Sequence, residues 1–188
     1  MTTTDVSICN QALNRIGAKS IISFDENTEN ARRCRALYAP ARQTLLRMHP
    51  WSFAKRRIQL APSAIRPAFG YQNAFPLPSD FLRVYSTGQI DYEIEGRNIL
   101  ADADLINLIY IADEQNEEIW DSIFRTCMAL YLVRDLAKPI TGSNAEADSA
   151  WAALKDMIKQ ARAINGQERP AQDFAADDSS QLMGARYQ

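Results

Sequence analysis

Histidine occurs once in this sequence, cysteine three times and glycine seven times in 188 residues. Each scarcity removes a class of chemistry. His49 sits in no HExxH pattern and near no cysteine, and Pro50 after it accounts for its position, so a structural role is expected. Cys9, Cys34 and Cys127 fall within helical patterns without paired or ligand-like spacing, which predicts reduced, buried thiols rather than a disulfide framework. Glycine never gathers into a phosphate-cradling loop, a dinucleotide fingerprint or a GxSxG elbow, and the acids match no calcium loop. No catalytic residue, cofactor or metal is assigned. Long apolar runs are missing too. The longest, Cys127 to Val133, falls far short of the roughly 20 residues of a spanning helix, and the start of the chain lacks a basic region followed by an apolar core. The expectation is a chain without a membrane anchor or export signal.

Hydrophobic residues make up 46% and charged residues 23%, enough for one ordinary domain with a real core. The net charge is only −2, yet it is unevenly spread. From Thr28 to Arg57 eight basic residues (Arg32, Arg33, Arg35, Arg42, Arg47, Lys55, Arg56, Arg57) meet the single acid Glu29. From Ile90 to Ser122 ten acids (Asp91, Glu93, Glu95, Asp102, Asp104, Asp113, Glu114, Glu117, Glu118, Asp121) meet only Arg97. A protein that binds nucleic acid by neutralising phosphates carries a basic excess overall, which this chain lacks. The blocks read either as solvated faces or as complementary patches that meet between subunits.

Periodicity divides the chain around Met48-His49-Pro50-Trp51-Ser52-Phe53-Ala54. Pro50 cannot continue a helix and drives His49 out of the helical region, so a long helix must end here. Upstream, Thr4 caps a helix through Val6, Cys9, Leu13 and Ile16 that closes at Gly17. A second helix follows with Ala31, Cys34, Tyr38, Ala41, Leu45 and Met48 in a narrow seam, and Pro40 should kink or divide it. Downstream, Ala61 to Pro78 reads as a long Pro-rich loop whose apolar side is Phe69, Tyr71 and Phe75. Strand patterns surround it: Phe53 to Leu60, Phe81 to Val84, then Ile90, Tyr92 and Ile94 alternating with Asp91, Glu93 and Glu95, and finally Leu105 to Ile111. They predict one antiparallel sheet of three to five strands.

Helix then resumes from Ile119 to Lys138-Pro139 with so wide an apolar arc that it should be the centre of a bundle. Ser143 and Glu146 form a capping-box pair, and Ala147, Ala150, Leu154, Met157, Ala161 and Ile164 make a last helix that Asn165-Gly166 stops. The fold class is α+β: helices in 1–52, a β-rich insertion in 53–112, helices in 113–166 and an extended tail in 167–188. That tail has four acids, two arginines and scattered anchors in Phe174, Leu182, Met183 and Tyr187, a composition expected to be ordered only by a partner or neighbouring subunit.

Two constellations carry alternatives. Asp91, Glu93 and Glu95 share one strand face, and alternate residues lie roughly 6.5–7 Å apart, a spacing that suits a glycoside-cleaving carboxylate pair. The wet face of a half-buried hairpin looks the same. Lys55-Arg56-Arg57 beside Trp51 and Phe53 suggests single-strand binding by stacking and charge, although such aromatics more often belong to the core.

In order and spacing, three motifs resemble the head-to-tail adaptor family of tailed phages, of the tail tubular protein A or gatekeeper type found in short-tailed phages. They are Asn10-Gln11-Ala12-Leu13-Asn14-Arg15-Ile16-Gly17-Ala18, then Leu45-Leu46-Arg47-Met48-His49-Pro50-Trp51-Ser52-Phe53-Ala54, then Phe75-Pro76-Leu77-Pro78-Ser79-Asp80-Phe81-Leu82-Arg83-Val84. The hairpin Tyr92-Glu93-Ile94-Glu95-Gly96 to Ile99 and a later strand with Ile109-Tyr110 fit the same family, so the resemblance spans residues 4 to 165. It implies a four-helix body with an inserted β-region and no active site. It further implies a virion protein that forms a ring, usually of twelve copies, between the portal protein and the tail nozzle protein, and lines the channel for double-stranded DNA. On that footing the tail anchors would dock on the portal. Phe69, Tyr71 and Phe75 would touch the nozzle or a neighbour, and Arg56 and Arg57 would face Glu93 and Glu95 of the next subunit. A small DNA-binding assembly factor and a virion-associated cell-wall hydrolase are the alternatives.

Overall fold

Helix boundaries follow their capping chemistry in the computed structural model, which describes residues 4–167. Helix α1 (Asp5–Arg15) opens on a capping box: the Ser7 N–H donates to the Thr4 hydroxyl, and the Thr4 N–H donates to the Ser7 hydroxyl. At its end Gly17, with φ +68°, directs its N–H to Asn14 and that of Ala18 to Leu13, a double closure that needs the left-handed backbone only glycine adopts cheaply.

Helix α2 (Glu29–Met48) runs through Pro40 undivided. Pro40 faces solvent, so the carbonyl deprived of its helical donor is not stranded in the core, and the expected division does not occur. The helix ends where Pro50 requires, with His49 extended at φ −142°, ψ 141°.

Helix α3 (Ser122–Thr141) begins later than its apolar pattern suggests. Glu117–Ile119 is a 3-10 turn, Ile119 is half exposed, and the Asp121 carboxylate caps the helix by accepting from the Ile123 N–H. Nor does Pro139 end it. The helix continues to Thr141, and Gly142, at φ +74°, turns the chain. Helix α4 (Ala145–Gln167) starts without the expected box, since the Ser143 hydroxyl accepts from Ala145 rather than from Glu146. It passes through Asn165-Gly166, so these residues do not stop it. Helix α3 packs against α1, α2 and α4, the central position its wide apolar arc demands. Phe124, Met128, Leu132 and Leu136 of α3 are fully buried.

Between α2 and α3 lie six strands in two sheets, where the pattern predicts one. Strands β1 (Lys55–Leu60), β6 (Ile106–Ala112) and β3 (Phe81–Ser86) form the first, in the order β1-β6-β3. Strands β2 (Asn73–Pro76), β5 (Asn98–Ala101) and β4 (Tyr92–Glu95) form the second, in the order β2-β5-β4, and all pairs are antiparallel. Strand β2 is concealed in the Pro-rich stretch. Its Pro76 is tolerated because β2 is an outer strand with only one side to pair.

Strand β6 divides its side chains between two cores. Ile111 joins the helical core, whereas Ile106, Leu108, Tyr110 and Ala112 enter a second one with Leu60, Phe75, Leu77, Ile99 and Ala101. Register shifts in β3 complete the split: Leu82 and Tyr85 pack on the helices, Phe81 and Val84 on the second core. The sheet is thus the wall the two cores share.

Candidate interaction surface

The basic segment is largely spent inside the chain. Arg32 and Arg33 pair with Glu29, and Arg35 pairs with Asp25. The Arg42 guanidinium donates to both carboxylate oxygens of Asp113, at 2.8 and 3.1 Å, and the Gln43 amide adds a third bond at 2.9 Å. Arg47 donates to the Leu82 carbonyl, and Lys55 lies 4.6 Å over the Tyr85 ring. Arg56 binds Glu114 and also faces Asp80 at 3.6 Å. Among the described residues only Arg57 of the eight bases has no such contact. Arg56, one of the residues expected to make intersubunit charge contacts, is held by Glu114 and Asp80 of its own chain and stays half exposed.

These pairs form the joint between helices and sheets, which the linear pattern does not reveal. Asp113 and Glu114 follow β6, Arg42 comes from α2 and Arg56 from β1. Burial opposes ionisation of Asp113, but the bonds from Arg42 and Gln43 and the Arg42 charge outweigh it, holding the carboxyl below its usual range. Tyr110 donates to Asp80, and the Trp120 indole donates to the Glu114 carbonyl. Asp113 and Glu114, counted above as part of an acidic block, are structural.

The pivot behaves as its residues suggest. Trp51 is buried, its indole donates to the Leu45 carbonyl, and its ring meets Phe124 edge-on at 5.0 Å; Phe53 meets Phe124 at 5.1 Å. Trp51 is thus a core residue, and Phe53 is half-buried beside it. His49 is 2% exposed against the Trp51 ring, and burial, with the charges of Arg162, Lys55 and Arg83, pushes its pKa down to about 4. Cys9, Cys34 and Cys127 are buried free thiols, and Cys9 and Cys34 lie close enough to influence each other, a proximity that their sequence spacing conceals. The described residues hold no cluster of three or more histidine, cysteine or acidic side chains suited to a metal, and no described helix is long and apolar enough to cross a membrane.

What remains accessible is the far end of the sheets. Phe69 is 91% exposed on its loop and Tyr71 is half-buried, but Phe75 is 0% exposed in the second core. Phe75 is thus a core residue and not a contact residue, because it stands opposite Ile99 on the inward face of β2. Strand β4 departs from its half-buried pattern. All four residues are exposed, including Tyr92 at 38% and Ile94 at 45%. The reason is its place at the edge of a sheet: Ile94 pairs with Ile99 and Tyr92 with Ala101, so their side chains share the inward face but reach beyond the neighbouring sheet. Glu93 and Glu95 alternate onto the other face, with no ion pair among the described residues; Glu93 stands opposite Leu100, and Glu95 lines a cavity with Ile65, Pro67, Ala74 and Leu100. The anchors Phe174, Leu182, Met183 and Tyr187 lie outside the described residues.

No protein-family model matches this chain, and no curated protein matches it as a relative. The class of the molecule is accordingly defined by its fold: α+β, the described residues forming a four-helix body with two small antiparallel sheets inserted between the second and third helices.

Proposed function

We propose that this chain is a structural virion protein, a head-to-tail adaptor that assembles into a ring between portal and tail nozzle and lines the DNA channel. The observation that carries the reading is the pairing of motif order with architecture. A four-helix body whose β-region is inserted after the Pro50 pivot is the arrangement that the adaptor resemblance implies. The sheets project an exposed acidic strand, β4, and an exposed strand, β1, that carries Arg57 without an ion pair among the described residues, suited to successive subunits. Internal neutralisation of most of the basic segment weighs against the DNA-binding assembly factor, since few cations are left to pair with phosphates. It suits a channel protein, through which DNA must slide rather than be held.

In this reading the tail residues Phe174, Leu182, Met183 and Tyr187 dock on the portal, and Phe69 contacts the nozzle or a neighbour. The test is the mass of the full chain by light scattering, alone and mixed with the portal ring of the same virus, beside a chain that ends at Gly166. Joining the portal in a fixed ring stoichiometry, and failing without the tail, is the expected result. A full chain that ignores the portal overturns the adaptor reading.

A further inference from the structure

Each sheet ends on one side in a strand that few neighbours cover. Strand β1 has β6 on one side only, and Arg56 to Gln59 are exposed; strand β4 has β5 on one side only and is exposed throughout. An uncovered strand edge is a template for another strand, and proteins that do not use such edges blunt them. Here the two edges are matched in three respects.

Their charges are opposite. Arg57 on β1 and Glu93 and Glu95 on β4 are exposed and form no ion pair among the described residues. Their apolar residues are also matched: Ile58 is 40% exposed, beside 38% for Tyr92 and 45% for Ile94. Their faces agree as well. Ile58 stands opposite Leu108, which lies in the second core, so it shares the inward face of the first sheet. Tyr92 and Ile94 share the inward face of the second. Arg57, one residue away, lies on the opposite face of its strand, beside Ile109, just as Glu93 and Glu95 lie on the face of β4 opposite to Tyr92 and Ile94.

We propose that β1 of one copy adds antiparallel to β4 of the next, setting Ile58 opposite Tyr92 and Arg57 opposite Glu93. Because side chains alternate with period two, any register that joins Ile58 to the inward row of β4 also sets Arg57 in the acidic row of the other face. The two demands reinforce each other. Ile58 then covers the exposed part of Tyr92, and Arg56, next on the same face, falls opposite Ile94, where the aliphatic stem of the arginine can lie over it. Since β1 and β4 are different surfaces, the contact is head to tail and propagates around a ring. This rests on the adaptor reading and gives it a joint.

The experiment uses the full chain with the same portal ring. Arg57→Glu and Glu93→Arg, both at exposed positions, each raise the protein concentration for half-assembly about tenfold or more, while the double variant Arg57→Glu/Glu93→Arg restores it. Unchanged far-UV circular dichroism and melting of the unassembled variants show that folding is intact. Separately, Arg57→Cys chains mixed with Glu93→Cys chains and mildly oxidised give a crosslinked dimer, because directly opposed strand residues lie about 4.5–5.5 Å apart at Cα, within disulfide reach. Rings that form equally well with either single variant, and no crosslink in the mixture, overturn the edge pairing while leaving the adaptor reading in place. A wild-type chain that assembles neither alone nor on the portal overturns both.

Discussion

Replacing Asp113 by Asn tests the joint between the helices and the sheets. In the native chain Arg42 and Asp113 make two hydrogen bonds, with side chains only 9% and 12% exposed. The variant keeps the shape of the carboxylate but leaves the Arg42 charge in a site nearly closed to water. Loss of one member of a buried pair costs about 3–5 kcal/mol. Because Asn can still accept one bond, the lower end, about 3 kcal/mol, is expected, which for a chain of this size lowers the melting temperature by about 6–12 °C. Arg42→Met on the wild-type background strands Asp113 with Gln43 alone and is also destabilising. The two changes together remove both charges, and the double variant should return to within about 1 kcal/mol of the wild type. The sign of the pH effect follows from the depressed carboxyl: the pair stabilises fully above the unfolded pKa of the carboxyl, and the stability is lost as pH falls through the lower folded value. Urea unfolding followed by tryptophan fluorescence reads all four states, since Trp120 is bonded to the Glu114 carbonyl beside the pair. A cost below about 1 kcal/mol for Asp113→Asn, or single effects that simply add in the double variant, refutes the buried pair as the joint.

His49 supplies an acid limb at higher pH than Asp113 does. Its folded pKa of about 4 lies below the ordinary 6.5, so the unfolded chain binds the extra proton and stability falls by up to about 3 kcal/mol as pH drops from 6.5 towards 4. That slope disappears in His49→Gln, as melting curves across this range will show. The two aromatics the Pro-rich stretch seemed to offer as one contact side separate cleanly by calorimetry. Phe75→Ala costs about 3–5 kcal/mol, whereas Phe69→Ala stays within about 0.5 kcal/mol. Equal effects would contradict their opposite burial.

Amino-acid order alone determined what depends on short range. The cap at Thr4, the closure at Gly17, the end of α2 at Pro50 and the central position of α3 all follow from side-chain period and local backbone constraints. Even these signals misled where environment intervened. Pro40 and Pro139 read as helix breakers but are exposed, so neither breaks its helix. Strand β2 was illegible because four residues among prolines carry no period, and it exists only because β5 lies beside it. Charge was the property least readable from order. A run of basic residues looks like a patch, yet pairing depends on which carboxylates the folded chain brings within 4 Å, and Arg42 meets Asp113 across 71 residues. Likewise, the alternation of β4 correctly identified a strand with two unlike faces. Only the tertiary structure decided that this strand lies at an edge, where an inward-facing Tyr92 and Ile94 extend past the core and remain exposed. Burial is a property of neighbours in space, and a linear pattern specifies the face without specifying what covers it.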